Sequence, residues 1–374
     1  MITDRSLKIY YPVIYNFDPN PMAMNLNNVA VNWRRSTRRD GGYFMGSFII
    51  PDDVGVDLPT FYYSYLGYHF VEKSAGVTTW EGMVYEMDLT NNGITRRVSL
   101  DSMYNHATAI YTDENGDQGT ATAVQGTVSI TRYGRKEEYL YLDGYPSGAV
   151  TSYQEAFLED KNWPNTQLVG RSRLSDKNQL KVTVAGYIFT ANWRFESAGD
   201  ASTDDVSNWI TEIVNTDCPL LSIGAIDSNT LQVKKDTPLP RRALDTIFEL
   251  SDLGDNTKQP WRFYVDNGRM AYYNKILNTP QYYISQGKIL SASGHDVAVD
   301  PWAVTPGVYR DLDYPINRPT VDSWLADERD FYVDEVEYGD GMEQPIFKSV
   351  EFEESEYLAA QHEFANRAFP EEEE

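Results

Sequence analysis

The chain has 374 residues, 41% of them hydrophobic and 13% aromatic. That is enough apolar material to exclude disorder as a reading of the whole, and enough length for two or three domains or one large β-rich body. Its 32 lysines and arginines stand against 56 aspartates and glutamates, a net charge of −24; such a chain repels phosphate backbones, which argues against specific nucleic-acid binding. The single cysteine, Cys218, excludes an intrachain disulfide, and no Asn-x-Ser/Thr sequon occurs. No run approaches the roughly 18 apolar residues of a membrane span. Asp4, Arg5 and Asp18 interrupt any signal-like apolar start, so no leader is expected. Tyrosine is the compositional oddity, with 27 copies; its apolar ring and polar tip suit half-buried sheet faces, subunit contacts or a sugar-binding face.

From Leu7 to about Leu142 the pattern is β. Runs rich in Val, Ile, Tyr, Phe and Thr, at Lys8–Phe17, Tyr43–Ile50, Met83–Leu89, Ile94–Leu100 and Gly126–Tyr133, alternate with turn residues. Asn92-Gly93 reads as a tight hairpin turn. In the polar stretch Thr112–Thr120, Asp113, Asn115 and Asp117 have calcium-loop spacing. Gln118 stands where such a loop needs Gly and Val124 where it needs Glu, so a solvated hairpin tip is expected. Tyr153–Leu158 is a short helical stretch. Leu180–Phe195 then alternates, with Ala185, Tyr187, Phe189, Ala191, Trp193 and Phe195 on one face, which predicts one long strand reaching about 50 Å at roughly 3.3 Å per residue. Ser202, Thr203 and Asp205 offer caps to a helix whose Val206, Trp209, Ile210, Ile213 and Val214 share a face. Short strands follow at Leu220–Ile226 and Thr230–Val233. A helix is expected from Pro240 to Leu253, stopped by Gly254. Trp261–Val265 and Met270–Tyr273 form a hairpin around Asp266-Asn267-Gly268-Arg269. Strands return at Phe331–Tyr338 and Phe347–Phe352, then an amphipathic helix over Glu354–Phe369 and an acidic end, Glu371–Glu374.

This predicts a β-rich α+β fold. A first β-rich domain covers 1–150, a mixed α+β region 151–290, a β-rich segment 291–370 completes a second domain, and 371–374 is an acidic tail. One internal echo accompanies it. Trp80–Leu100 and Phe331–Phe352 both read as an aromatic-led strand, a glycine turn and a returning strand.

Signatures of chemistry are missing. His69, His106, His295 and His362 have no second His or Cys at ligand spacing, and His362-Glu363 lacks the second His, at Asn366, of a zinc-protease helix. Gly170-Arg171-Ser172-Arg173-Leu174 lacks the final glycine of a nucleophile elbow. No glycine-rich phosphate loop occurs. Cys218, before Pro219 in an apolar stretch, reads as a buried inert thiol. Glu81 with Glu86, and Glu335 with Glu337, are carboxylate pairs of the kind a glycosidase uses, but among so many acids such pairs arise by chance. No catalytic residue, metal ligand or cofactor site is predicted, and the chain is read as not an enzyme. Basic residues concentrate at Arg34, Arg35, Arg38 and Arg39 and again at Arg241-Arg242. The first cluster is expected either as a solvated loop or as a loop that docks on an acidic neighbouring subunit.

The order of segments resembles one known family. Val31-Asn32-Trp33-Arg34-Arg35-Ser36 is followed by Gly41-Gly42 and Phe44–Ile50, then the Trp80-x-Gly82-x-Val84 strand and the Val98-Ser99-Leu100 return. The helix Ala243–Leu253 leads into Pro260-Trp261-Arg262-Phe263-Tyr264-Val265-Asp266-Asn267-Gly268-Arg269, and a β segment closes the chain. Over most of its length this is similar to the baseplate hub or tail-tip hub proteins of tailed bacteriophages. The resemblance implies a homotrimer in which each subunit carries two similar barrel-like tube domains. The resulting ring of pseudo-sixfold symmetry would adapt the hexameric tail tube to a threefold tip and line the DNA channel. It further implies a virion tail location after assembly in the host cytoplasm. The implied partners are the tail tube protein, the distal tail protein, the tape measure protein and tip or fibre proteins. No peptidase or lysozyme module is seen. Two other readings stay open: a carbohydrate-active or carbohydrate-binding β protein, and a distal tail ring or tail terminator protein.

Overall fold

The computed structural model describes residues 5–16, 19–171, 177–196, 202–234, 240–257, 259 and 261–275, the backbone of 282–283, 289–293, 296–299, 315–317, 330–340 and 346–350, and the side chains of Glu335, Glu337 and Asp340. The strands are β1 (Arg5–Tyr10), β2 (Met22–Asn25), β3 (Val31–Arg38), β4 (Gly41–Pro51), β5 (His69–Ser74), β6 (Val77–Asn91), β7 (Ile94–Ser99), β8 (His106–Thr112), β9 (Gln118–Thr120), β10 (Val124–Gln125), β11 (Glu137–Asp143), β12 (Gln167–Arg171) and β13 (Gln179–Ala185). Beyond these come β14 (Thr203–Asp205), β15 (Ser222–Ile226), β16 (Gln232–Lys234), β17 (Trp261–Asp266), β18 (Met270–Lys275), β19 (Tyr282–Tyr283), β20 (Ile289–Ser293), β21 (Asp296–Val299), β22 (Pro315–Asn317), β23 (Asp330–Gly339) and β24 (Ile346–Val350). The α-helices are α1 (Leu58–Ser64), α2 (Thr127–Tyr133), α3 (Val150–Lys161), α4 (Val206–Asp217) and α5 (Ala243–Asp252).

One antiparallel ladder organises the fold. It runs β2-β1-β5-β6-β13-β4-β3-β23-β24-β21-β20. Strand β6 is long enough to serve two neighbours on one side: its first half pairs with β5 and its second half with β7. Strand β12 extends the β7 side, and β17, β18 and β15 branch from the start of β4. The β4–β17 junction needs glycine. Gly42 has φ +73°, and a Cβ there would lie 2.1 Å from the Val265 carbonyl oxygen. Among the described residues no strand pairing closes a barrel, so the two-barrel arrangement implied by the family resemblance is not seen as such; the architecture is a β-rich α+β fold.

The ladder curls around aromatics. Trp33, Phe48, Phe70 and Trp80 are each fully buried, with the Trp33 ring centroid 4.8 Å from Phe70 and 5.6 Å from Trp80. Such pairs contribute about 0.5–1.5 kcal/mol each beyond the area they bury. The Trp80 indole N–H donates to the Ser36 carbonyl at 3.2 Å, so the buried ring leaves no orphaned donor. This core continues without a break through β13 into α4, α5 and β15–β18, from Leu7 to Tyr273. A small separate core of Ala109, Leu142 and Val150 lies under α3, where β11, β8, β10 and β9 form their own sheet with a parallel β8–β11 pair.

Three expectations are corrected. The strand expected over Leu180–Phe195 stops at Ala185, and Tyr187–Trp193 is a 3-10 turn. At Gly186 the backbone passes so close to Tyr43 that a Cβ would sit 1.7 Å from the Tyr43 carbonyl oxygen. Alternation fails beyond that point, because Tyr187, Ile188, Thr190, Ala191 and Trp193 are all buried. Gly126–Tyr133, expected as a strand, is helix α2; Ser129 and Tyr133, four residues apart, are its buried positions, a helical spacing. Lys8–Phe17 is interrupted at Pro12, which opens a 3-10 turn at Val13–Tyr15; Phe17 lies outside the described residues. The helix expected at Glu354–Phe369 and the acidic tail also lie outside them. The hairpin turns at Asn92-Gly93 and around Gly268, and helices α3, α4 and α5, fall where expected.

Candidate interaction surfaces

The basic run is not a loop. Arg34, Arg35 and Arg38 lie on β3, and Arg39 starts the turn into β4. Two register irregularities in the β3–β4 ladder break the in–out alternation. The four arginines are therefore not presented as one exposed set. Arg34 is exposed. Arg35 Nε lies 2.6 Å from Glu72 Oε2 on β5, an ion pair whose N–H is not aligned as a hydrogen bond; Glu72 is 2% exposed. Arg38 Nε lies 3.3 Å from Glu335 Oε2, and its guanidinium sits 3.6 Å from the Phe44 ring centroid. Arg39 pairs with Asp40 at 2.8 Å. Nearby, burial first and Asp40 second push the Asp252 carboxyl up to about 6. One charged residue that the sequence did not single out ties this hairpin down. Asp340, at the end of β23, pairs with Arg5 and accepts from the Trp33 N–H at 3.0 Å. Only the sequence-distant pairing of β3 with β23 brings it there.

The carboxylates weighed as glycosidase pairs each have structural partners. Glu86 pairs with Arg97 at 3.3 Å and Glu335 with Arg38. Glu81 is 6% exposed and accepts from the Arg269 backbone N–H at 2.7 Å. It thereby pins the Asn267–Arg269 turn between β17 and β18 against β6. Burial pushes the Glu81 carboxyl up to about 6. Beside it, His69 Nδ1 is 2.8 Å from the Tyr187 hydroxyl; burial drives His69 down to about 4 and Tyr187 well above the ordinary phenol range. At neutral pH His69 and Tyr187 are both uncharged. The cluster is largely buried and braces the turn. Cys218 is buried as expected, its thiol pushed up to about 12. His295 and His362 lie outside the described residues.

A cleft of 340 Å³ opens next to this brace. Its apolar side is Val13, Ile14, Trp193, Pro219 and Leu220, and its polar side includes Arg135, Arg194 and Arg269. Glu137, 6% exposed, lies behind it, its Oε1 at 2.5 Å from Arg135 Nη2 and 3.1 Å from Arg194 Nε. Arg269 Nη1 donates to the Leu220 carbonyl at 3.1 Å. Sequence reading missed this site because its parts come from five separate segments, none of which carries a motif.

No known protein-family model matches the chain, and no curated protein matches it. Solved structures do. One is the 43 kDa tail protein of prophage MuSo2 from Shewanella oneidensis, with TM-score 0.46 and 7% identity over 95% of this chain and 98% of that one. Another is a tail protein from Neisseria meningitidis MC58, with TM-score 0.44 and 5% identity over 96% and 99%. A third is the E. coli c3393 protein, a component of the type VI secretion system described as structurally similar to the T4 bacteriophage tail proteins gp27 and gp5; there the TM-score is 0.41 and the identity 7%, over 87% of this chain and 74% of that one. All three are described as tail proteins or as similar to them.

Proposed function

We propose that the chain is a structural tail hub, not an enzyme. It assembles as a closed homotrimer at the distal end of a bacteriophage-type tail, adapts the hexameric tube to a threefold tip and lines the DNA channel. Its neighbours are the tail tube, distal tail, tape measure and tip or fibre proteins. It is built in the host cytoplasm and resides in the virion tail. The observation that supports this reading is the echo. Trp80–Leu100 folds as the antiparallel pair β6–β7, and the second echo as the antiparallel pair β23–β24. Both belong to one ladder, bridged by β13, β4 and β3. In the hub reading these pairs occupy equivalent places in two related halves that alternate around the ring. The long strand expected over Leu180–Phe195 is absent and lends this reading nothing.

Two surface features fit subunit contacts. Strand β12 has β7 as its one partner strand among the described residues, and Leu168 and Val169 on it are 59% and 44% exposed. An open, apolar edge of this kind is a template for pairing with another chain. The hairpin that holds Arg34, Arg35, Arg38 and Arg39 is the proposed dock for an acidic neighbour, with exposed Arg34 leading. Arg35, Arg38 and Arg39 already hold partners within the chain. The net charge of −24 suits a conduit that must not bind the DNA it passes. Native mass spectrometry of the purified chain tests the proposal. Three copies are expected. A mass of one or two copies, with no assembly on adding tail-tube protein, would remove the hub reading.

A further inference from the structure

We propose that the cleft between the Val13–Tyr15 turn, Gly134-Arg135, the Thr190–Arg194 stretch and Pro219-Leu220 binds an acidic peptide segment of a partner polypeptide. An apolar side chain of that segment rests on Ile14 and Leu220, and its carboxylate meets the guanidinium groups of Arg135, Arg194 and Arg269. The inference rests on the cleft and is independent of the tail reading.

Charge is the first argument. The chain as a whole carries 56 acidic against 32 basic side chains. Among the described residues that line the cleft, three are arginines and none is Asp or Glu. The sign of the surface is therefore inverted here. One carboxylate, Glu137, serves both Arg135 and Arg194, so those three groups together keep a formal charge of +1.

Preorganisation is the second. Arginine is a long, entropically costly side chain to order on binding. Here Glu137 holds two of the three from behind. The third is held at both ends: its backbone N–H by Glu81 and its Nη1 by the Leu220 carbonyl. A guanidinium offers five N–H donors in a rigid fork that suits a carboxylate.

The apolar side decides the ligand class. Val13, Ile14, Pro219, Leu220 and Trp193 give a bare phosphate nothing to touch, whereas a peptide uses both sides. A volume of 340 Å³ lies at the lower end of the roughly 300–1,000 Å³ of ligand pockets, which suits one or two residues of a peptide. A strongly anionic chain also repels polyanions at long range, and a short peptide with few charges suffers least.

The test uses the intact chain and a fluorescein-labelled peptide, acetyl-Gly-Leu-Glu-Glu-Leu-Gly, read by anisotropy. Binding is expected, with a loss of tenfold or more when the two Glu are replaced by Gln. Arg135→Glu should weaken binding by at least tenfold. Ile14→Asp, which leaves the arginines in place, should do the same, and it covers the case in which Arg135→Glu disturbs folding. Arg96→Glu, at an exposed position of β7 away from the cleft, should bind as the unaltered chain does. Equal binding of the Gln peptide, equal binding by both cleft variants, or no binding at millimolar protein would overturn the proposal. Displacement of the peptide by inorganic phosphate at equal concentration would also overturn it, in favour of a phosphate site.

Discussion

Glu81→Gln should change how stability depends on pH, and the size of that change follows from two buried groups that pull in opposite directions. The folded pKa of Glu81 is raised from 4.5 to about 6, so ionising it costs stability. At 1.36 kcal/mol per unit this cost is about 2 kcal/mol. It is fully present above pH 6 and disappears as the pH falls towards 4.5. His69 is depressed from 6.5 to about 4. Its neutral form is favoured by folding, so it costs nothing above pH 6.5 and removes about 3 kcal/mol as the pH falls to 4. The two slopes overlap and largely cancel in the unaltered chain. Glutamine keeps an oxygen for the Arg269 N–H but does not titrate. Urea unfolding at half-unit steps from pH 7 to 4.5 should therefore show the stability of the variant, relative to the parent, falling by about 2 kcal/mol across that range. Asp252, also raised to about 6, is common to both chains and drops out of the difference. A difference flat within about 0.5 kcal/mol, or one of opposite slope, would refute the account of this buried pair.

Other substitutions probe the remaining arguments. Gly186→Ala places a Cβ 1.7 Å from the Tyr43 carbonyl oxygen and should cost at least about 2 kcal/mol in chemical denaturation, since that backbone cannot relax without opening β4. Arg35→Met leaves Glu72 charged and buried without its ion pair and should cost about 3–5 kcal/mol, or prevent folding, in a thermal melt. Arg34→Glu should leave the melting temperature nearly unchanged but weaken co-assembly with tail partners in sedimentation; unaltered assembly would remove the hairpin as a dock.

Local signals were legible where one residue type decides the outcome. Asn92-Gly93, Gly254 and the Val206–Val214 periodicity gave a turn, a helix stop and a helix in their places. Alternation misled where burial is two-sided. After Gly186 almost every side chain is inside, so a period-two pattern carried no information about a strand. The arginine run misled for a related reason. Charge in sequence says nothing about partners brought from Glu72 and Glu335, and only the ladder order assembles them. The cleft was invisible because its guanidinium groups come from positions 135, 194 and 269.

Strand β13 has a consequence for how the molecule is made. It fills the gap between β4 and β6, yet it begins at residue 179 while β4 ends at residue 51, a lag of 179 − 51 = 128 residues. At roughly 5–20 residues per second of synthesis, the ribosome takes about 6–25 s to deliver it. For the last 179 − 91 = 88 residues of that lag β4 and β6 are both made but have no strand between them, and Phe48, Ile50, Val84 and Met87 lack the Leu180, Val182 and Val184 they are packed with at the end. The nascent chain thus carries one unfinished, apolar sheet edge from residue 51 and a second from residue 91 until β13 is made, when it is most exposed to pairing with its neighbours on the same message.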